Sequence, residues 1–91
     1  MFTGLIETCG HVRDLDPAGD SARLRINAPF THELSLGESV AVNGCCLTAV
    51  EIDADAVAFD VLTKTLEVTS LGDLKPSHPV NLERALKLGD R

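Results

Sequence analysis

The sequence predicts an all-β domain, a small barrel of about six short strands with one short helix. Three observations carry that expectation. Turn-forming residues recur at intervals of about 8–12 residues, the spacing of a sandwich or small barrel. Apolar residues between the turns mostly alternate with polar ones, the period of a half-buried strand. In a chain of 91 residues, closing the sheet into a barrel leaves no strand edge exposed.

The first strand is expected within Gly4 to Leu15, where Leu5, Ile6, Val12 and Leu15 stand among polar positions, and Asp16-Pro17-Ala18-Gly19-Asp20 reads as the turn that ends it. Ala22, Leu24 and Ile26 then alternate with Arg23, Arg25 and Asn27, and Pro29 closes that strand. Thr31 to Leu34 fits one helical turn. Ser39 to Val42 is a short strand before Asn43-Gly44, the strongest dipeptide signal for a tight hairpin. Cys46 to Ile52 and Ala56 to Leu62 flank Asp53-Ala54-Asp55 as a second hairpin. A short helix is expected over Lys64 to Leu71, with Thr63 as its N-cap and Gly72 as its stop. After the loop Lys75-Pro76-Ser77, the alternation of Val80, Leu82 and Arg84 with Asn81 and Glu83 gives the last strand.

A single domain of this length buries roughly 65% of its unfolded surface, and a 44% hydrophobic content can fill the core. Eight basic side chains against fourteen acidic ones leave a net charge of −6, with no basic cluster, so neither nucleic acid nor an anionic membrane is an expected partner. Three cysteines, Cys9, Cys45 and Cys46, are an odd count with one adjacent pair, which does not build a secreted disulfide framework. The start Met1-Phe2-Thr3-Gly4 lacks the charged and apolar regions of a signal peptide, and no apolar run approaches the ~18 residues of a membrane span. A soluble, cytoplasmic protein with reduced thiols is the expectation.

The run Asn43-Gly44-Cys45-Cys46-Leu47-Thr48 is the most informative. Along a strand alternate side chains share a face, so Cys46, Thr48, Val50 and Ile52 point one way and Cys45, Leu47, Ala49 and Glu51 the other. A thiol and a hydroxyl two residues apart, with backbone amides between them, suit a planar heterocycle rich in acceptor atoms. The plainer reading makes both cysteines small buried hydrophobes. No Lys, Arg or His lies close in sequence to depress a thiol pKa. The block Asp60-Val61-Leu62-Thr63-Lys64-Thr65 is the second candidate, crossing from a strand end into a helix start where free amides favour an acceptor-rich group. A capped helix with a solvated lysine explains that block equally well. His11, His32 and His78 have no metal-ligand spacing, so no metal is expected. Ser39 lies near Cys46 across the predicted hairpin but has no base beside it. The acidic pairs Asp14 with Asp16 and Asp53 with Asp55 read as solvated turn residues.

Met1-Phe2-Thr3-Gly4-Leu5-Ile6-Glu7, then Ser39 through Thr48, Phe59-Asp60-Val61-Leu62, Thr65-Leu66, Leu71-Gly72-Asp73-Leu74 and Val80 through Ala85 together resemble the N-terminal lumazine-binding repeat of the riboflavin synthases, in order along nearly the whole chain. The resemblance implies a six-stranded antiparallel Greek-key barrel over residues 1–86, with 87–91 beginning a linker to a second repeat. It implies binding of 6,7-dimethyl-8-ribityllumazine or riboflavin. In the complete enzyme it implies dismutation of two lumazines to riboflavin and a diaminouracil without metal or organic cofactor. Gly4, Leu5 and Ile6, then Cys46, Leu47 and Thr48, then Asp60, Val61, Leu62, Thr63, Lys64 and Thr65 match the family's ligand-contacting segments. Cys46 matches its catalytically implicated cysteine and Ser39 its nearby serine. The family's active site joins the first repeat of one subunit to the second of another, so the resemblance implies a homodimer for an isolated first repeat and a homotrimer for the complete enzyme. A lumazine or flavin carrier of the same fold is the alternative. A barrel serving only as an interaction module would leave Cys46, Thr48 and Thr63 unexplained.

Overall fold

The strand from Ser21 to Asn27 shows how this sequence closes a sheet: Ala22, Leu24 and Ile26 are buried, and the arginines between them are not. The computed structural model describes residues 8–85. The strands are β1 (Thr8–Ala18), β2 (Ser21–Asn27), β3 (Ser39–Val42), β4 (Cys45–Ile52), β5 (Ala56–Leu62) and β6 (Pro79–Arg84). One helix, α1 (Thr63–Val68), follows β5, and 3-10 turns occupy Thr31–Glu33 and Ser70–Asp73. Pairing runs β1-β2-β5-β4-β3-β6 and returns to β1 as a closed, wholly antiparallel barrel. Strands β3, β4 and β5 follow one another as hairpins while β2 lies beside β5, which is a Greek-key arrangement.

Inward-facing residues of every strand meet in one core. Val12, Leu24, Ile26, Val40, Val42, Leu47, Ala49, Val57, Phe59, Val61, Val80 and Leu82 belong to it, joined by Leu71 from the second 3-10 turn. Two bulges bend the wall: the register shifts between Val12 and Asp14 in β1 and between Ala49 and Glu51 in β4. An extra residue on one strand sharpens its twist, which helps six short strands close. Gly10 marks the tightest approach. A Cβ there would lie 2.6 Å from the Asn27 carbonyl oxygen and 2.7 Å from Leu82 Cδ1.

Four local expectations are corrected. Strand β1 continues through Asp16-Pro17, which had read as a turn. Asp14 and Asp16 are not loop residues: both carboxylates accept from the Arg25 Nη1 of β2, at 2.9 and 3.2 Å, and extend the ladder. Pro17 is tolerated because the β1–β6 ladder already ends at His11↔Pro79, so the missing N–H removes no bond to β6. Helix α1 stops at Val68, short of Gly72, because Thr69 turns extended; its hydroxyl donates to the Thr65 carbonyl at 2.7 Å and accepts from the Leu71 amide at 3.2 Å. Nor does Thr63 cap α1. Leu62 holds the N-cap position with no side-chain bond, and the Thr63 amide donates to the Asp20 carbonyl at 2.9 Å. Asp53 does shape its turn, its Oδ1 accepting from the amides of Asp55 and Ala56. Among the described residues no helix is long and apolar enough to cross a membrane.

Candidate functional site

The hairpin joining β3 to β4 sets the site. Asn43 and Gly44 both take positive φ, 49° and 82°, the pattern of a two-residue turn whose twist suits the flanking strands. The turn is pinned to β6 as well: the Asn43 amide donates to the Asn81 carbonyl, and the Asn81 amide donates to Asn43 Oδ1, each at 2.8 Å. Pairing then places Cys46 opposite Ala41 and Thr48 opposite Ser39. Leu47 and Ala49 enter the core, whereas Cys46 and Thr48 are exposed. The predicted separation of faces therefore holds from Cys46 to Ala49.

Strand β4 changes partner along its length. Cys45 to Thr48 pair with β3, and the ladder to β5 runs only from Ala49↔Phe59 to Ile52↔Val57. Between the first half of β4 and the end of β5 lies a cavity of about 280 Å³, near the lower end of the range of about 300–1,000 Å³ usual for small-molecule sites. Cys46, Leu47 and Thr48 line it from β4, Asp60, Val61 and Leu62 from β5, and Thr65 from α1. Two segments singled out separately in the sequence thus form the walls of one space.

Not every candidate reaches it. Ser39 pairs with Thr48, and paired residues share a face of the sheet, but Ser39 is not among the residues lining the cavity. Thr63 and Lys64 are exposed at the start of α1 and do not line it either. Because α1 has six residues and its Thr63 amide is already bonded to Asp20, the helix start offers less to an anionic group than the sequence suggested. Gly4, Leu5 and Ile6 lie outside the described residues. His11, His32 and His78 are exposed.

Two further residues line the cavity. Alternation already put Val50 on the face of Cys46 and Thr48; the bulge at Val50 breaks the alternation beyond it, leaving Glu51 exposed and Ile52 packed against the core, the reverse of the expected facing. Cys45 is half-buried and packs against the core yet also borders the cavity. Burial, reinforced by the neighbouring Cys46, pushes the Cys45 thiol pKa up, which keeps it protonated and unreactive. Cys46 is the exposed thiol of the pair.

Apolar surface from Val50 and Leu62 stands beside the hydroxyls of Thr48 and Thr65 and the carboxylate of Asp60, while the side chains of Leu47 and Val61 point into the core and leave their backbone at the cavity wall. Leu62 is 64% exposed and Val50 39%, so apolar surface remains open to water here. Asp60 is held from outside the cavity. Arg23 Nε donates to its Oδ1 at 2.9 Å and Arg23 Nη2 to its Oδ2 at 3.3 Å, and these bonds raise the pKa of the guanidinium. The set can hold a flat ring against aliphatic side chains while accepting and donating hydrogen bonds at its edge.

The family model of the lumazine binding domain matches residues 3–85. Over 92 residues the chain is 42% identical to the riboflavin synthase of Actinobacillus pleuropneumoniae, an alignment covering 100% of this chain and 43% of that protein. The chain thus spans less than half the length of that relative. Among solved structures, LumP complexed with 6,7-dimethyl-8-(1'-D-ribityl) lumazine matches with a TM-score of 0.85 and 31% identity, covering 93% of this chain and 49% of that one. LumP complexed with riboflavin matches with a TM-score of 0.85 and 30% identity over 98% of this chain and 51% of that one. With the barrel, the cavity and a match over residues 3–85 in agreement, the chain belongs to the lumazine-binding domain family.

Proposed function

We propose that the chain binds 6,7-dimethyl-8-ribityllumazine or riboflavin in the cavity between β4 and β5, and that it forms one half of a riboflavin synthase active site. One observation carries this reading: Cys46, Leu47 and Thr48 meet Asp60, Val61, Leu62 and Thr65 around a single cavity, although more than ten residues separate the two segments in the chain. The aliphatic side chains take the faces of the ring system. Thr48, Thr65 and Asp60 take its polar edge and the hydroxyls of its ribityl chain.

In the complete reaction two lumazines exchange a four-carbon unit, giving riboflavin and 5-amino-6-ribitylaminouracil. The pteridine ring itself delocalises the carbanion formed at its 7-methyl group. The protein's part is to hold two rings face to face, and alignment of this kind removes much of the entropic barrier. Cys46 serves as nucleophile or proton carrier beside the ring, while Ser39 and Thr48 position a hydroxyl or water. Leu62 and Val50, exposed beside the cavity, are covered when a second ring-bearing barrel docks, so the site is complete only across an interface. The single domain pairs as a homodimer, and the complete enzyme as a homotrimer. Gly4, Leu5 and Ile6 belong to the same ligand-contacting set, as do Thr63 and Lys64.

A carrier of lumazine or flavin is the second reading, favoured by the complexes of LumP with lumazine and with riboflavin. Fluorescence tests the binding that both readings share. Riboflavin emission is expected to be quenched or shifted on adding the protein, and unchanged emission at high protein concentration would end both. Incubation with the lumazine is expected to yield riboflavin slowly or not at all. Full-rate turnover would contradict the need for a second barrel.

A further inference from the structure

We propose that Arg23 is a positioning residue of this site, which fixes the Asp60 carboxylate in the cavity wall so that its remaining lone pairs are set to accept hydrogen bonds from the ligand. The inference rests on the reading of the cavity as a lumazine or flavin site.

Arg23 and Asp60 are directly opposite in the β2–β5 ladder. Their side chains meet as a fork, with Nε on Oδ1 at 2.9 Å and Nη2 on Oδ2 at 3.3 Å. The third guanidinium nitrogen, Nη1, lies 3.6 Å from Oε2 of Glu51. Arg23 therefore ties β5 to the far side of the β4 bulge, and it does so from outside the cavity, which it does not line. Asp60 does line it.

Stability is a poor explanation for this arrangement. The Arg23 side chain is 34% exposed and that of Asp60 49%, and exposed ion pairs contribute little to folding. Geometry is the better one. A planar guanidinium bonded to both oxygens holds a carboxylate in one orientation, which a single-point contact does not. An ionised carboxylate has about four acceptor positions. The fork occupies one on each oxygen and leaves the others available to the cavity that Asp60 lines. Without it, Asp60 rotates freely and must be ordered each time a ligand binds, a loss that weakens binding by about three- to tenfold for one immobilised side chain.

The test measures riboflavin affinity by emission titration, with thermal melting followed in parallel by circular dichroism. It uses Arg23→Gln, Arg23→Lys, Asp60→Asn and the double variant Arg23→Gln/Asp60→Asn. Arg23→Gln is expected to bind about three- to tenfold more weakly with its melting temperature nearly unchanged. Arg23→Lys is expected to be as weak, because lysine keeps the charge and loses the fork; it also carries the comparison should the glutamine variant fold poorly. In the Asp60→Asn background, removing Arg23 is expected to add no further loss, since it acts through Asp60. Wild-type affinity in Arg23→Gln or in Arg23→Lys would overturn the proposal, as would an equal loss in both backgrounds. Failure of the unmodified protein to bind riboflavin would instead overturn the binding reading itself, and this role with it.

Discussion

Replacing Asn43 by alanine tests how the hairpin holds the site. Asn43 carries two loads: it occupies a left-handed conformation at φ 49°, and its Oδ1 accepts the Asn81 amide at 2.8 Å. Alanine tolerates positive φ less well than asparagine, at a cost of about 1 kcal/mol. The lost hydrogen bond removes about 1 kcal/mol more. The expected destabilisation is about 2 kcal/mol, which for a domain of this size lowers the melting temperature by roughly 8–16 °C. Asn43→Gly separates the two loads, because glycine accepts the backbone conformation but supplies no acceptor. It is expected to recover about half of the loss. Urea unfolding followed by circular dichroism reads both values. A change below about 0.5 kcal/mol in Asn43→Ala, the scatter of ordinary surface substitutions, would refute the clamp between this turn and β6.

Gly10→Ala is expected to destabilise the barrel by about 1–3 kcal/mol or more, because the added methyl would meet the Asn27 carbonyl, a backbone atom that cannot swing aside; the same denaturation experiment decides it, and unchanged stability would show that β1 has room there. Asp53 supplies a pH signature. Its carboxylate pKa lies below the usual value because the Asp55 and Ala56 amides, and then Arg13, favour the charged form. A folded pKa depressed in this way contributes stability that is present above the unfolded value of about 3.9 and lost as pH falls through the folded one. The stability gap between the wild type and Asp53→Ala is therefore expected to narrow as pH drops below about 4, and a gap constant down to pH 2 would contradict the assignment.

The parts of the fold legible in the sequence are those governed by local rules. Alternation over Ala22 to Asn27 located β2, the Asp53-Ala54-Asp55 turn between two apolar segments located β5, and Asn43-Gly44 located the tightest hairpin because few residues accept two successive positive φ values. Failures arose where a distant partner decided the outcome. Asp16-Pro17 reads as a turn until Arg25 on β2 binds the aspartates flanking Leu15. Thr63 reads as a cap until the Asp20 carbonyl takes its amide.

The candidate site divides in the same way. Strand alternation placed Cys46 and Thr48 together, and the family resemblance brought Asp60 through Thr65 beside them. It did not distinguish Thr65, which lines the cavity, from Thr63 and Lys64, which do not. That distinction depends on where β5 ends and α1 begins. The bulge at Val50 reverses the facing of Glu51 and Ile52, and Arg23 meets Asp60 through cross-strand register. Neither can be read from local spacing.

The location of the ligand is open to direct measurement. Backbone amide resonances of the labelled protein, followed by NMR as riboflavin is added, report which residues the ligand approaches. The largest shifts are expected at Cys46, Leu47 and Thr48 and at Asp60, Leu62 and Thr65, the two segments that wall the cavity. Shifts concentrated on another face of the barrel, or no shifts at saturating riboflavin, would contradict the assignment of this cavity as the binding site.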